Sequence, residues 1–181
     1  MNRIETLETP RLWLRRLKLS DATRTQMLAG SRAVADTTRR IPHPYEMEEA
    51  VHWLKWQEKE AYSTAFSNFA ICFKENDALI GVIGLNFESH DQSAELGYWL
   101  GQPYWGQGLC TEAAREMIAH AFRDWDMHRV YAQCFSRNPA SGRVLQKIGM
   151  KWEGRLREHV KKWDQWEDVE VFGLLRSEWK E

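Results

Sequence analysis

Between Leu100 and Ala114 the chain reads LGQPYWGQGLCTEAA, and this segment constrains the fold more than any other. The strand-like run AELGYWL ends at its start, Gly106 and Gly108 stand two apart in the loop, and a helical pattern begins at once. Glycine lets a backbone turn sharply and lets a ligand approach the amides. The first N–H groups of a helix lack internal partners and carry the positive end of its dipole. The segment therefore reads either as a tight turn or as a phosphate cradle. It is not a dinucleotide fingerprint, since GxGxxG is absent, and not a P-loop, since no GK[ST] follows.

The rest of the chain switches period repeatedly. Leu12–Leu17 alternates apolar and charged residues as a strand does. Ser20 and Asp21 offer N-caps for a helix toward Gly30, and Met47, Val51 and Leu54 recur at helical spacing for a second helix through about Tyr62. Strands are expected at Phe69–Lys74, Leu79–Phe87 and Ala94–Leu100, then a helix from about Leu109 and a strand at Arg129–Phe135. Asn138-Pro139 is an N-cap followed by a first-turn proline, and its helix stops at Gly149. Strands around Lys151–Val160 and Asp168–Leu175 close the chain. The order β-α-α-β-β-β-α-β-α-β-β is that of an α/β fold with a mixed sheet. No linker or repeat divides residues 1–181, so one domain is expected.

Composition narrows the function classes. Hydrophobic residues make up 43% and charged residues 28%, a globular balance. A net charge of −1 argues against general attraction to nucleic acid or anionic lipid. No apolar stretch approaches the roughly 20 residues that cross a bilayer, and the acidic residues of MNRIETLETPRLWLRRL stand where a signal peptide needs its apolar core. A cytoplasmic location is expected. Cys72, Cys110 and Cys134 form no CxxC pair and the histidines no HExxH, so neither disulfide framework nor metal cofactor is expected.

The run GYWLGQPYWGQGLCTEAA, followed by HRVYAQCFSRNPASGRVLQKIGM, resembles the GNAT superfamily of N-acetyltransferases, in its RimJ/RimL-like branch. The opening ETPRLWLRRL and the closing DVEVFGLLRSEW are similar to that branch too. The resemblance implies the acyl-CoA N-acyltransferase fold, a central twisted mixed sheet of about seven strands flanked by about four helices. It implies acetyl-CoA as co-substrate. Trp105, Gly106, Gln107, Gly108, Leu109 and Cys110 match the loop whose amides hold the CoA pyrophosphate. Trp99, Leu100 and Gly101 match the strand end that pairs with pantetheine, where two strands of the family fold splay apart. Asn138 matches a pantetheine contact, and Arg143 lies where a cation meets the nucleotide end. Pro103 replaces the Gln or Arg that many members carry there, removing one phosphate donor.

Amines are mostly protonated at neutral pH, so acetyl transfer needs a base, a donor for the oxyanion and an acid for the leaving thiolate. By the resemblance Glu95 is the base candidate and Ser141 the acid candidate. The alternatives are a solvent-paired Glu95 and a first-turn Ser141 bonding its own backbone. Glu112 reads as a dipole-favoured helix residue, Cys110 as a small residue at a helix N-terminus with a lowered thiol pKa, and Arg39-Arg40 and Lys161-Lys162 as solvated surface. Trp53, Trp56, Trp163 and Trp166 could line an amine pocket or belong to the core. The expected activity is acetyl transfer to a primary amine, by direct attack in a ternary complex, with a protein N-terminus favoured by resemblance. The alternatives are a polyamine, aminoglycoside or amino-acid acceptor, or a catalytically silent acyl-CoA-binding protein. Monomer and homodimer both stay open.

Overall fold

The computed structural model describes residues 5–60 and 65–180. Eight strands form one open mixed sheet in the order β1-β2-β3-β4-β5-β6-β8-β7. They are β1 (Thr6–Glu8), β2 (Leu12–Arg15), β3 (Phe66–Phe73), β4 (Leu79–Glu88), β5 (Ser93–Leu100), β6 (Arg129–Phe135), β7 (Lys151–Lys162) and β8 (Gln165–Leu175). The helices are α1 (Ala22–Ala29), α2 (Arg32–Thr37), α3 (Met47–Lys59), α4 (Leu109–Arg123) and α5 (Pro139–Lys147). All neighbouring strands pair antiparallel except β5 and β6, which are parallel and joined through α4.

Strand alternation separates two apolar layers. On one face Leu96, Ala132, Ile83 and Leu85 meet Leu109, Met117, Ile118 and Phe122 of α4 and Leu145 of α5. On the other face Ala70, Cys72 and Val82 meet Leu28 of α1 and Leu54 of α3, with Trp53 and Trp99 packed against them. Each layer removes large aliphatic side chains from water, the main drive for the fold.

Two elements exceed the sequence expectation, giving eight strands and five helices instead of about seven and four. β1 is only three residues long, too short for a period to register. α2 begins after Gly30, where Ser31 caps it by accepting from Val34 N. Asp21 does not cap α1 with its side chain; it accepts from Lys18 N and holds Arg15 in a buried bidentate pair. The expected end of the second helix near Tyr62 lies outside the described residues.

A buried histidine gives the fold a pH dependence. His120 Nδ1 lies 2.7 Å from Asp124 Oδ2, and Trp125 Nε1 donates to His120 Nε2 at 2.8 Å. An accepting Nε2 fixes the neutral tautomer with its proton on Nδ1. Burial pushes this imidazole below its usual range, against the pull of Asp124. The unfolded chain therefore takes up a proton near about pH 6.5 that the folded one resists, and stability falls as pH drops below that value. Thermal unfolding at about pH 7.5 and about pH 5.5 should register the decline, and His120→Gln should flatten it. An equal slope in parent and variant would assign the acid sensitivity elsewhere.

Candidate active site

The site is built around the one parallel pairing. The β5–β6 ladder runs through Ser93–Arg129, Ala94–Val130, Glu95–Tyr131 and Leu96–Ala132, then stops. Gln92 O accepts from Arg129 N, so even-numbered residues of β5 turn their amides toward β6. Gly101 N donates to Ile80 O, so odd-numbered ones turn toward β4. Tyr98 is therefore the first residue whose N–H points into the gap where β6 has diverged. A cleft of about 950 Å³ opens there, within the range of small-ligand sites. Its lining comes from both faces of the sheet.

On the α4 face the glycine loop forms a cradle. Gly106 and Gly108 both sit at φ +76°, in the left-handed region that favours glycine. A Cβ at Gly106 would meet nothing within 4 Å, so the loop faces open space. Gly108 is the N-cap of α4, and the first helical bond of that turn is Glu112 N to Gly108 O. The N–H groups of Leu109, Cys110 and Thr111 precede that ladder and are available to an anion. Trp105 Nε1 donates to Leu100 O at 2.6 Å and Gln107 Nε2 to Pro103 O at 3.1 Å, which fixes the loop. Glu112 buttresses it from beneath: it accepts from Thr9 Oγ1 at 2.6 Å, Arg11 N at 2.8 Å and Arg11 Nε at 2.7 Å. Burial alone would raise this carboxyl, but those bonds hold it below its usual range. Its reading as a structural residue is met.

Asn138 caps α5 by accepting from Ser141 N at 3.3 Å, and both residues line the cleft. The Ser141 Oγ stands 2.8 Å from Tyr98 Oη across the gap. Burial pushes the Tyr98 phenol well above its usual range, so it stays protonated and can donate to Ser141, leaving the serine proton for another acceptor. Arg143 is exposed on α5 and lines the same cleft, as do Trp99, Leu100 and Lys147. Gly101 lies just outside the lining, with its amide bonded to Ile80.

Glu95 lies on the opposite face, half-buried and lining the cleft beside its register partners Asn86 and Tyr131. The next row across the sheet is stripped of side chains: Gly84 pairs with Gly97. A Cβ at Gly97 would meet nothing within 4 Å, while at Gly84 it would collide with Asn68 Oδ1. Asn68 Nδ2 donates to Gln57 Oε1 at 3.1 Å, which turns its oxygen over this glycine trough. The trough thus lies beside Glu95 and next to the Tyr98 amide. Gly97 and Tyr98 open the GYWL run that carries the family resemblance, but it gives neither a role, and Asn68 lies in no motif; only the sheet register brings the three together.

Three sequence expectations are corrected. Cys110 does not fit an activated thiol: its side chain packs against the core around α4, and burial pushes it up to about 12. Burial does the same at Cys72, to about 12, and at Cys134, to about 11. Alkylation of the folded protein at neutral pH should therefore be at least roughly tenfold slower than of the unfolded chain at all three. Mass spectrometry of labelled peptides would reveal any fast Cys110. Lys162 is not solvated surface either; it is 6% exposed, donates to Ile41 O at 2.7 Å, and burial lowers its pKa. Among the four tryptophans offered for an amine pocket, Trp53 and Trp56 line the cleft, whereas Trp163 meets His43 and Arg32 and Trp166 is exposed on β8.

The family profile described as "Acetyltransferase (GNAT) domain" matches residues 11–151. The chain belongs to the GNAT acetyltransferase family. It is 29% identical to "Uncharacterized N-acetyltransferase p20" of Bacillus licheniformis over 177 residues, 97% of this chain and 99% of that protein. It is 32% identical to the "Ribosomal-protein-serine acetyltransferase" of Escherichia coli over 115 residues, 63% of this chain and 64% of that one. Among solved structures, RimL, a ribosomal L7/L12 α-N-protein acetyltransferase in complex with coenzyme A, superposes with a TM-score of 0.86. That likeness covers 94% of this chain and 98% of RimL at 20% identity, and concerns the fold. This GNAT protein is an acetyltransferase of the RimJ/RimL-like branch, a family whose acyl donor is acetyl-CoA.

Proposed function

We propose that this GNAT protein moves acetyl from acetyl-CoA to the α-amine of a protein N-terminus by direct attack in a ternary complex. The observation that carries the reading is a cleft running through the sheet, with an anion cradle on one face and a carboxylate beside a bare trough on the other. The pyrophosphate is held by the glycine loop and the free amides of Leu109, Cys110 and Thr111, not by the Trp105 amide, which donates to Gln102 O. Pantetheine lies along Trp99 and Leu100 with Asn138 rather than on Gly101, whose amide is bonded to Ile80, and Arg143 meets the nucleotide end. The thioester then reaches the gap at Tyr98, whose N–H donates to the developing oxyanion.

The acceptor amine rests over Gly97 and gives its proton to Glu95, directly or through water. From the neutral amine the C–N bond forms as the nitrogen's proton passes to Glu95, and the C–S bond breaks. The thiolate takes the Ser141 proton, Tyr98 replaces it, and solvent returns to Tyr98 a proton equivalent to the one Glu95 releases. Cys110 offers no nucleophile, since its thiol is protonated, which favours direct attack over an acyl-enzyme.

Screening acetyl-CoA turnover against N-terminal peptides, polyamines and aminoglycosides tests the reading. Acetyl should appear on peptide α-amines by mass spectrometry. A bulky residue at Gly97 should raise the acceptor KM while leaving acetyl-CoA affinity nearly intact. Preference for a polyamine or aminoglycoside would replace the acceptor assignment, and failure to bind acetyl-CoA would overturn the whole reading.

A further inference from the structure

Arg39 and Arg40 line the cleft, both exposed, in the loop between α2 and α3. That loop belongs to the α1–α3 face, since His43 Nδ1 lies 3.0 Å from Gly30 O and Gln26 Nε2 donates to Tyr45 O. It is held on either side of the arginines. Arg137 binds Asp36 through Oδ2 at 2.7 Å and through the backbone oxygen at 2.8 Å. Lys162 binds Ile41 O.

Several arginines of this chain meet carboxylates, Arg11 with Glu112, Arg15 with Asp21, Arg129 with Glu153 and Arg176 with Asp126, and others turn to carbonyls or a ring, Arg24 to Leu79 O, Arg115 to Lys147 O and Arg32 to Trp163. Arg39 and Arg40 meet no carboxylate among the described residues. The nearest acid in sequence, Asp36, is already taken by Arg137. Glu49, which also lines this part of the cleft, is turned to its own helix cap, accepting from Glu46 N. Two guanidiniums thus stand uncompensated at the acceptor mouth of a protein whose net charge is −1.

A second pair of cations without an ion-pair partner among the described residues, Arg143 and Lys147, lines the cleft from α5 on the opposite face. That pair is placed for the phosphates of a nucleotide entering along the glycine loop. The first pair lies across the sheet from it and must serve a different anion. We propose that Arg39 and Arg40 form a subsite for a negative charge on the acceptor, so that the preferred substrate is an N-terminus followed by acidic side chains. This rests on the acceptor reading above and adds its selectivity. The amine is drawn to Glu95 and the following carboxylates to the arginine pair, which planar guanidiniums suit well. A polycationic amine would gain at Glu95 and be repelled at the mouth.

Hexapeptides identical except for acidic or amide residues at positions two to four provide the test, with spermidine and an aminoalkyl phosphate as small acceptors. The parent should favour the acidic peptide by about tenfold in kcat/KM at low salt, a ratio that shrinks as salt screens the charges. Arg39→Gln/Arg40→Gln should bring the ratio near one, and Arg39→Glu/Arg40→Glu should invert it toward a basic peptide. A parent ratio near one, a ratio retained in the glutamine variant, or variants that lose acetyl-CoA affinity alone would each overturn the subsite. Use of the aminoalkyl phosphate without any peptide would sink the protein N-terminus while keeping the anion subsite; preference for spermidine would sink both. If no acceptor turns over, calorimetry of the same peptides on the coenzyme A-loaded protein decides, and equal affinities count against the proposal.

Discussion

Glu95→Gln should lower kcat by roughly 10²–10⁴, the range for loss of one general base, with acetyl-CoA affinity barely changed. The swap keeps size and hydrogen bonding but removes the site that takes the amine proton. Glu95 sits on the face away from the glycine loop, so its loss leaves the cradle untouched. The deficit should shrink at high pH, where more of the acceptor is already neutral. A variant within threefold of the parent at every pH would move proton removal to water or to another group.

Gly108→Val should weaken acetyl-CoA binding at least tenfold, about 1.4 kcal/mol, in a protein that still folds. At φ +76° a β-branched residue costs roughly 1–2 kcal/mol, yet its Cβ would stand 3.7 Å from Arg11 Nη2, ordinary contact distance. The effect on the ligand comes through the loop, because a side chain here strains the left-handed backbone of the cradle and crowds Arg11, which holds Gln107 O. Calorimetry on the folded variant reads it directly, and unchanged affinity would rule out the cradle.

Local chemistry made much of this architecture legible. The glycine pair, the Asn138 cap and the period changes each act within a few residues, and all reappear in the structure. What depended on distant partners was hidden. Asp21 looked like a helix cap because its hold on Arg15 is a tertiary contact. Cys110 looked activated because a helix N-terminus is visible in sequence and the packing that buries its thiol is not. The Gly84–Gly97 trough required the register of β4 on β5, and the Tyr98 amide required knowing where β6 leaves β5. Arg39 and Arg40 read as surface because only the fold brings them to a cleft.

The triple hold of Thr9 and Arg11 on Glu112 carries a practical consequence for how this protein is handled. Arg11 also reaches Gln107 O at 3.2 Å, so the β1–β2 turn fastens the shape of a loop about a hundred positions away in the chain. A deletion that trimmed the first eleven residues would keep every glycine of the loop and still release its foundation. A shortened version that binds cofactor poorly would therefore be reporting a lost brace.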